Sequence, residues 1–245
     1  LAGTSVRSIG LDTWGVDFGL LDAHDTLIGN PHHYRDSRTD GMMDAVFEIV
    51  PRDEVYGKTG IQFMQLNTLY QLFAMVKGKS SALASAERLL NMPDLFNFFL
   101  TGEKANEFTI SSTTQCYNPT QKNWDFETLN KLGIPTKIFG EIVAPGTLLG
   151  KLRPSLAQEI GYSTSVISSA GHDTACAIAA VPATGDDYIY LSSGTWSLMG
   201  VLLNQPIISA ESMAADMTNE GGFDGKIRFL KNIVGLWPVQ ECRRQ

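Results

Sequence analysis

The alternation of apolar, strand-like runs with helical segments predicts an α/β fold. One such run covers residues 6–11, and another, beginning at residue 166, crosses a glycine into a helix over residues 174–180. In an open α/β sheet, ligands bind beyond the carboxyl ends of the strands. His172 and Asp173 lie at the second strand end, so this pair is a candidate functional site.

Asp173 has two interpretations that its local sequence leaves open. A carboxylate at a strand end can accept a proton from a substrate hydroxyl while its neighbour His172 holds the substrate. The same carboxylate can instead cap the following helix by accepting a backbone hydrogen bond. The other motifs of the chain favour the first interpretation.

Length and charge indicate the class of protein. The chain has 245 residues, which is enough for one large domain or two modest ones with a real core. Hydrophobic residues make up 43% and charged residues 18%, as in ordinary globular proteins, and the net charge is −7. This acidic balance argues against nucleic-acid and anionic-membrane partners, whose binding surfaces are basic, although a nucleotide can still bind locally.

The cysteine pattern and the chain ends bear on compartment and completeness. Cys116, Cys176 and Cys242 are widely spaced and form no CxxC pair, so we expect no disulfide framework and no metal site. Unpaired cysteines are typical of a reducing compartment, no apolar run reaches membrane-spanning length, and no signal sequence is present. Together these features predict a cytoplasmic protein. The chain starts without an initiator Met and stops inside a predicted helix, so we expect it to be a fragment.

The first elements are predicted to be strands. Residues 6–11 form a strand that ends at Asp12, which is either functional or part of an Asx-type turn. Residues 16–22 form the next strand, and residues 26–28 form the strand that returns. Gly15 lies in the turn between the first two strands, where it permits either the close approach of a ligand or simply a tight turn.

The middle of the chain is predicted to be mainly helical. Gln62, Gln65 and Asn67 place three amide side chains in one stretch that leads into a helix. Each amide donates and accepts hydrogen bonds, which suits a ligand with many hydroxyl groups, although half-exposed amides are also common on ordinary surfaces. Hydrophobic periodicity and the positions of Pro and Gly predict helices over residues 39–50, from 67 onward, and over 85–90, 93–100, 106–115, 125–131 and 154–160. They also predict a polar break over 75–84 and a segment interrupted by Pro and Gly over 142–151.

The last quarter of the chain predicts a second group of strands. After a linker at 182–187, strands at 188–191 and 197–203 flank the turn Ser-Ser-Gly-Thr-Trp at 192–196. Such a turn clusters N–H and hydroxyl groups that suit an anionic phosphate, but most turns of this kind are only hairpins. The remaining segment predicts a tight turn at 219–222, a strand at 227–230 and a helix from 232.

Three motifs follow one another along the chain. They are Asp-Thr-Trp-Gly at 12–15, Gly-His-Asp-Thr at 171–174 and Ser-Ser-Gly-Thr-Trp at 192–196. Together they resemble the FGGY carbohydrate kinases, and the resemblance covers essentially the whole chain. Supporting stretches are Tyr-Arg-Asp-Ser-Arg at 34–38, Gly-Ile-Gln at 60–62, Asn-Thr-Leu-Tyr-Gln at 67–71, Met-Pro-Asp at 92–94, Leu-Thr-Gly at 100–102, Asn-Glu-Gly-Gly at 219–222, Leu-Lys-Asn-Ile at 230–233 and Gly-Leu-Trp at 235–237.

The resemblance implies a ribonuclease H-like (actin-like ATPase) fold, in which two α/β domains enclose a cleft. Residues 1–180 would form most of the sugar-binding domain, and residues 181–245 would form the beginning of the ATP-binding domain. The sequence lacks the family's glycine-rich phosphate hairpin and its later adenine-binding segment. We therefore expect no turnover from this chain alone.

The resemblance also implies a reaction and roles for individual residues. The implied reaction is the phosphorylation of L-rhamnulose at O1 by ATP with Mg²⁺. The alternatives are another ketose or polyol kinase of the family, such as an L-fuculokinase, and a non-catalytic sugar-binding protein. The partners are then two small molecules, with neither nucleic acid nor membrane. By position, the implied general base is Asp173, the implied sugar contacts are Gly15, His172, Asp173 and Thr174, and the implied ATP contacts are Thr195, Asn232 and Gln240.

Overall fold

The computed structural model describes residues 6–185 and 187–244, so Asp186, in the predicted linker, and the outermost residues of the two predicted domains lie outside the described residues. The strands are β1 (Ser8–Ile9), β2 (Phe18–Leu21), β3 (Arg88–Asn91), β4 (Asn106–Glu107), β5 (Tyr117–Asn118), β6 (Asn123–Trp124), β7 (Ile142–Val143), β8 (Thr147–Lys151), β9 (Ser165–Ser168), β10 (Tyr190–Ser193), β11 (Trp196–Leu203), β12 (Thr218–Gly221) and β13 (Ile227–Val234). The helices are α1 (Met42–Phe47), α2 (Arg52–Thr59), α3 (Thr68–Lys77), α4 (Ser81–Ser85), α5 (Met92–Thr101), α6 (Phe108–Ser111), α7 (Phe126–Lys131), α8 (Pro154–Ile160), α9 (Asp173–Ala179), α10 (Ala210–Ala214) and α11 (Trp237–Arg244). Short 3-10 turns cover Ser37–Thr39, Ser112–Thr114, Thr136–Ile138 and Phe223–Gly225.

Two sheets organise the chain around the candidate site. The first has the order β1-β9-β8, with β1 and β9 parallel and β8 antiparallel to β9. The second has the order β10-β11-β13-β12 and is antiparallel throughout. Beyond the ends of β1 and β9, a parallel bridge joins Thr13 to His172. The two predicted strand ends therefore lie side by side at His172.

The main apolar core is formed by residues of β2, β3, β5 and β6 together with helices α1 to α4 and α7. The amphipathic helix α3 buries Leu69, Leu72 and Phe73 against β2, β3 and α7. Trp124 is also buried there, and its Nε1 donates to the carbonyl oxygen of Gly140 at 2.7 Å. Burial of each large side chain contributes roughly 1.5–3 kcal/mol, so this core supplies a stable support for the site.

Two predictions for the middle of the chain are wrong. The predicted break at 75–84 is occupied by the end of α3 and by α4, because Met75 and Val76 pack against the core and extend the helix. The second half of the predicted helix at 85–90 is part of strand β3, whose residues pair with β2 in the register Phe18↔Asn91. Leu89 and Leu90 are both fully buried, and pairing with β2 overrides the local helical pattern.

Three further predicted elements need correction, two near the end of the chain and one in its middle. The predicted tight turn at 219–222 is mostly strand β12, and the predicted helix from 232 is the second half of β13, with α11 beginning only at Trp237. β13 is long because it pairs with β11 on one side and β12 on the other. The predicted helix at 106–115 is divided into β4, α6 and a 3-10 turn, whereas α5, α7, α8 and α9 confirm the helices predicted at 93–100, 125–131, 154–160 and 174–180.

Hydrogen bonds of the Asn219 side chain join the second sheet to the helical part of the chain. The Asn219 side-chain amide donates to the carbonyl oxygens of Gly60 at 2.9 Å and Ile207 at 3.0 Å, and its oxygen accepts from the Ile207 N–H at 2.8 Å. Gly60 has φ +64°, and a Cβ there would lie 2.8 Å from Asn219 Nδ2. Glycine is therefore required at this contact, both for its backbone conformation and for space.

Candidate functional site

A cleft of about 570 Å³ lies between the end of the β1–β9 pair and the second sheet. It is lined by six of the seven residues that the sequence singled out, which are Gly15, His172, Asp173, Thr174, Thr195 and Asn232. The seventh residue, Gln240, lies exposed on α11 and outside the lining of the cleft. The fold thus brings residues from three distant motifs to one concave surface, as expected of a small-molecule site.

Backbone hydrogen bonds hold the first two motifs side by side. The Thr13 N–H donates to the Gly171 carbonyl, and the Asp173 N–H donates to the Thr13 carbonyl, both at 2.9 Å. A Cβ on Gly15 would lie 3.1 Å from Thr113 Oγ1 and 3.7 Å from His172 Nε2. The absence of a side chain at Gly15 therefore keeps the floor of the cleft open beside His172.

The Asp173 carboxylate stands at the start of α9 and faces solvent. Its side chain is 55% exposed, and its Oδ1 accepts from the N–H of Thr174 at 2.6 Å and the Thr174 hydroxyl at 3.2 Å. Within the described chain its Oδ2 has no hydrogen-bond partner. The N-cap of α9 is His172 and no side-chain cap hydrogen bond is present, so the capping interpretation of Asp173 is wrong, whereas its Oδ2 is available to accept a proton.

His172 is buried in a cluster of charged groups that the sequence analysis missed. Its ring is only slightly exposed, and Nδ1 lies 2.9 Å from Arg228 Nη2, while Nε2 lies 3.4 Å from Asp173 Oδ1. Arg228 is fully buried and pairs with Glu220, whose Oε2 is 3.1 Å from Nη2. Charged residues are almost never fully buried unless they are paired, so only the strand pairing seen in the structure reveals this pair.

Electrostatics in this cluster favour ionised Glu220. Burial alone would raise the pKa of the Glu220 carboxyl, but the opposing charge of Arg228 contributes to a pKa that is lowered overall. Glu220 and Arg228 are directly opposite one another on β12 and β13, which makes the pair a cross-strand contact. The paired charges can therefore remain buried beneath the cleft.

A second buried carboxylate supports the loop from below. Glu107 accepts the N–H of Gly171 at 2.9 Å and caps α6 through the N–H groups of Thr109 at 2.8 Å and Ile110 at 3.1 Å. Burial raises the pKa of Glu107 despite these hydrogen bonds. Burial, and next the charge of Glu107, raises the pKa of neighbouring Asp94 well above its usual range. These carboxyl groups fix the backbone that presents His172 and Asp173.

The backbone beside Gly15 is strained. Val16 lines the cleft and has φ +68°, a conformation that β-branched residues rarely adopt. Its carbonyl oxygen accepts from the Thr68 hydroxyl at 2.7 Å and from Gln71 Nε2 at 3.2 Å. Such strain costs of order 1–3 kcal/mol and persists where the surroundings enforce it, which is characteristic of functional sites.

Trp14 forms part of the wall next to this strained backbone. Its ring is half-exposed and lines the cleft, and its Nε1 donates to Asp17 Oδ2 at 2.8 Å. Burial raises the pKa of Asp17, although the hydrogen bonds from Trp14 and Gln71 oppose this effect. The aromatic face of Trp14 is therefore held in place while it remains accessible from the cleft.

The amide side chains predicted for a polyhydroxylated ligand behave differently from one another. Gln62 and Asn67 line the cleft, whereas Gln65 is exposed outside its lining. Asn67 Nδ2 donates to Gln115 Oε1 at 2.9 Å and to the Gln62 carbonyl at 3.0 Å. Gln62 is bonded to Asn232 of β13, so it connects the first wall of the cleft to the second sheet.

The turn between β10 and β11 forms the opposite wall. Ser192, Ser193, Gly194 and Thr195 all line the cleft there. The Gly194 N–H donates to the Trp196 carbonyl at 2.8 Å, and the Gly194 carbonyl accepts the Leu236 N–H at 2.9 Å. The Thr195 side chain is exposed, which leaves its hydroxyl available to an oxyanion in the cleft.

The described residues offer neither a cluster of metal ligands nor a membrane-spanning helix. Residues 6–185 and 187–244 contain no group of three His, Cys, Asp or Glu side chains arranged to hold a metal ion. The same part of the chain has no helix with the length and apolar character needed to cross a bilayer. All three cysteines are free thiols, with Cys116 buried.

The family match and the curated relatives of this chain are all carbohydrate kinases. The family described as "FGGY family of carbohydrate kinases, N-terminal domain" matches residues 1–180. The chain is 47% identical to the rhamnulokinase of Halalkalibacterium halodurans over 243 residues, which covers 99% of this chain and 52% of that protein. It is also 47% identical to the rhamnulokinase of Bacteroides thetaiotaomicron, with coverage of 98% and 50%. The chain thus spans about half the length of the curated relatives it matches.

The fold of this chain is also similar to solved structures of carbohydrate kinases. Gluconate kinase from Lactobacillus acidophilus superposes with a TM-score of 0.85 at 19% identity, covering 99% of this chain and 49% of that one. Plasmodium falciparum glycerol kinase with ADP superposes with a TM-score of 0.80 at 13% identity, covering 97% and 49%. These likenesses confirm the ribonuclease H-like (actin-like ATPase) fold that the sequence predicted. With residues 1–180 matched to its N-terminal domain, this chain belongs to the FGGY family of carbohydrate kinases.

Proposed function

We propose that the protein acts as a rhamnulokinase, which transfers the γ-phosphoryl group of ATP to O1 of L-rhamnulose. The observation that carries this proposal is the Asp173 carboxylate, which stands half-exposed in a cleft between the Gly15 loop and the β10–β11 turn. Phosphoryl transfer requires mainly that an acceptor hydroxyl and a phosphoryl group are held in line next to a proton acceptor. The identity of 47% to two curated rhamnulokinases supports L-rhamnulose as the sugar.

In this proposal the sugar lies on the side of the first sheet. Gly15 leaves room for it, and His172, Asp173 and Thr174 contact its hydroxyl groups. The O1 hydroxyl gives its proton to Asp173, the O1 atom forms a bond to the γ-phosphorus, and the bond from that phosphorus to the bridging oxygen of ADP breaks. Asp173 is thus the general base, a role that typically contributes 10²–10⁴-fold to the rate.

The nucleotide lies on the side of the second sheet. The Thr195 hydroxyl and the neighbouring N–H groups of the turn would meet the phosphates, and Asn232 would contact ATP from β13. Gln240 keeps its proposed role as an ATP contact, although it needs a nucleotide that extends beyond the cleft to α11. Mg²⁺ enters as part of the MgATP substrate rather than as a bound metal of the protein.

The proposal extends to organisation and compartment. Residues 1–180 would form most of the sugar-binding domain, and residues 181–245 would form the beginning of the ATP-binding domain. The family match over 1–180 and the separate second sheet, which starts at β10, support this division. The free cysteines and the acidic net charge support a cytoplasmic enzyme whose partners are small molecules rather than nucleic acid or a membrane.

A substrate panel tests the proposal. The full-length gene product is incubated with MgATP and L-rhamnulose, L-fuculose or D-xylulose, and ADP release is measured. We expect the highest kcat/KM with L-rhamnulose. A higher value with L-fuculose would make the protein an L-fuculokinase of the same family, and sugar binding without ADP release from any ketose would indicate a non-catalytic sugar-binding protein.

A further inference from the structure

We propose that Arg228 is a positioning residue that fixes the tautomer of His172, so that the imidazole presents an N–H group to the cleft. The consequence for the sugar rests on the proposed kinase function, whereas the tautomer itself follows from the cluster of buried groups. Arg228 lies on β13 in the second sheet, and His172 lies at the end of the first sheet. The contact therefore also connects the two walls of the site.

Arg228 is held in a single orientation from several directions. Its side chain is 0% exposed, and its Nε donates to the Gly221 carbonyl at 2.7 Å. Its Nη2 lies 3.1 Å from Glu220 Oε2, so the buried positive charge is neutralised from the neighbouring strand. A guanidinium is planar and rigid, and these contacts direct Nη2 at the imidazole.

The donor inventory then decides the state of the histidine. An arginine carries only N–H donors and stays protonated in proteins, so the 2.9 Å contact from Nη2 requires Nδ1 of His172 to be the acceptor. A neutral imidazole with an unprotonated Nδ1 carries its proton on Nε2. Glu220 Oε2 also faces Nδ1 at 3.5 Å, but the shorter distance belongs to the arginine donor.

The Nε2–H group is placed where the proposed reaction takes place. Nε2 lies 3.4 Å from Asp173 Oδ1 and 3.7 Å from the position that a Cβ of Gly15 would take. It can donate to a sugar oxygen or to the Asp173 carboxylate, but it cannot accept a hydroxyl proton. The fixed tautomer therefore leaves Asp173 as the acceptor of the O1 proton and gives His172 the role of a donor that orients the sugar.

Nitrogen spectroscopy tests the tautomer without any substrate. In protein with ¹⁵N-labelled histidine, the chain contributes four imidazoles, and a His172→Gln variant identifies the signals of His172. We expect a protonated, pyrrole-type Nε2 and an unprotonated, pyridine-type Nδ1. A proton on Nδ1, alone or together with Nε2, would overturn the proposal.

Variants test whether Arg228 is the cause. Removing only one member of a buried charge pair leaves an unpaired charge, so the main variant is the double substitution Arg228→Met with Glu220→Gln, which is neutral overall. We expect the His172 signals of this variant to move towards a mixture of tautomers, with Arg228→Lys partly restoring the wild-type signals. Unchanged signals in a folded double variant would show that Arg228 does not set the tautomer.

Kinetics with the full-length gene product connect the tautomer to the site. For the ketose that gives the highest turnover, the double variant should lower kcat/KM by about 10-fold, and the same change in a His172→Ala background should lower it no further. Equal losses in both backgrounds would mean that Arg228 acts only as a structural residue. If no ketose is turned over, the proposed function fails while the nitrogen spectrum still decides the tautomer, so the two failures are distinguishable.

Discussion

Gln62 and Asn232 bind each other across the cleft. Gln62 Oε1 accepts from the backbone N–H of Asn232 at 3.0 Å and from its side-chain amide at 3.2 Å, and Gln62 Nε2 donates to the Asn232 carbonyl at 3.4 Å. The sequence placed Gln62 among the amides suited to a polyhydroxylated ligand and Asn232 among the ATP contacts. The contact joins the two walls of the cleft, so Gln62 stabilises the arrangement of the site, and its amide is already occupied by protein.

Gln62→Ala should destabilise the protein. The substitution removes these hydrogen bonds and leaves half-buried groups of Asn232 without a partner, so we expect the free energy of unfolding to fall by about 1–3 kcal/mol. Urea denaturation followed by tryptophan fluorescence measures this change. The matched control is Gln65→Ala, since among the described residues that exposed amide bonds only to Asp40, at 3.4 Å, and its effect should stay within about 0.5 kcal/mol. Equal effects of the two substitutions would contradict the role given to Gln62.

Asp173→Asn should separate binding from chemistry. The amide retains the shape and the Oδ1 hydrogen bonds to Thr174, but it cannot accept the proton of a sugar hydroxyl. We expect sugar affinity to change by no more than a few-fold and kcat of the full-length gene product to fall by about 10²–10⁴-fold. The exposed Asp44→Asn variant serves as the control with wild-type turnover. Turnover close to wild type in Asp173→Asn would remove Asp173 as the general base.

Gly15→Ala should narrow the cleft. The new methyl group would lie 3.1 Å from Thr113 Oγ1 and 3.7 Å from His172 Nε2, in space that the proposal gives to the sugar. We expect about tenfold weaker sugar binding by calorimetry, equivalent to about 1.4 kcal/mol.

The control for this substitution is a glycine away from the cleft. Gly57 lies exposed in α2, and a Cβ there would have no atom within 4 Å. Gly57→Ala should therefore leave sugar affinity unchanged and stabilise the helix by roughly 0.5–1 kcal/mol. Unchanged sugar binding by Gly15→Ala would place the sugar elsewhere.

The buried Asp94 should make stability depend on pH. Burial, and next the charge of Glu107, raises the pKa of Asp94 well above its usual range. Between the ordinary pKa of an aspartate and the raised pKa in the folded state, the folded protein retains a proton that the unfolded chain loses. The free energy of unfolding is therefore greatest below this pH range and falls as pH rises through it. Chemical denaturation from about pH 4 to about pH 7 should show this fall, with Asp94→Asn giving a shallower one. Glu107, whose pKa is also raised by burial, contributes in the same direction. An identical pH profile in the variant would show that Asp94 is not the cause.

Local signals in the sequence determined several elements correctly. Helix α8 begins at Pro154 and is followed by Gly161 with φ +82°, and both residues act through their own backbone preferences. The strand ends that carry Thr13 and His172 were likewise predictable, because apolar runs and turn residues are read within a few positions of the chain. The family resemblance carried by the motifs around Gly15, Asp173 and Thr195 implied a cleft between two domains, and these three residues line one.

Tertiary structure alone decided the elements and contacts that depend on distant partners. Residues 88–91 are a strand because β2 pairs with them, and β13 continues through Asn232 because β11 and β12 flank it. The contact of His172 with Arg228 joins residues 56 positions apart, and no local pattern marks it. Strand pairing and the burial of paired charges depend on which segments meet in space, whereas the preferences of a turn or a helix end belong to the few residues that form it.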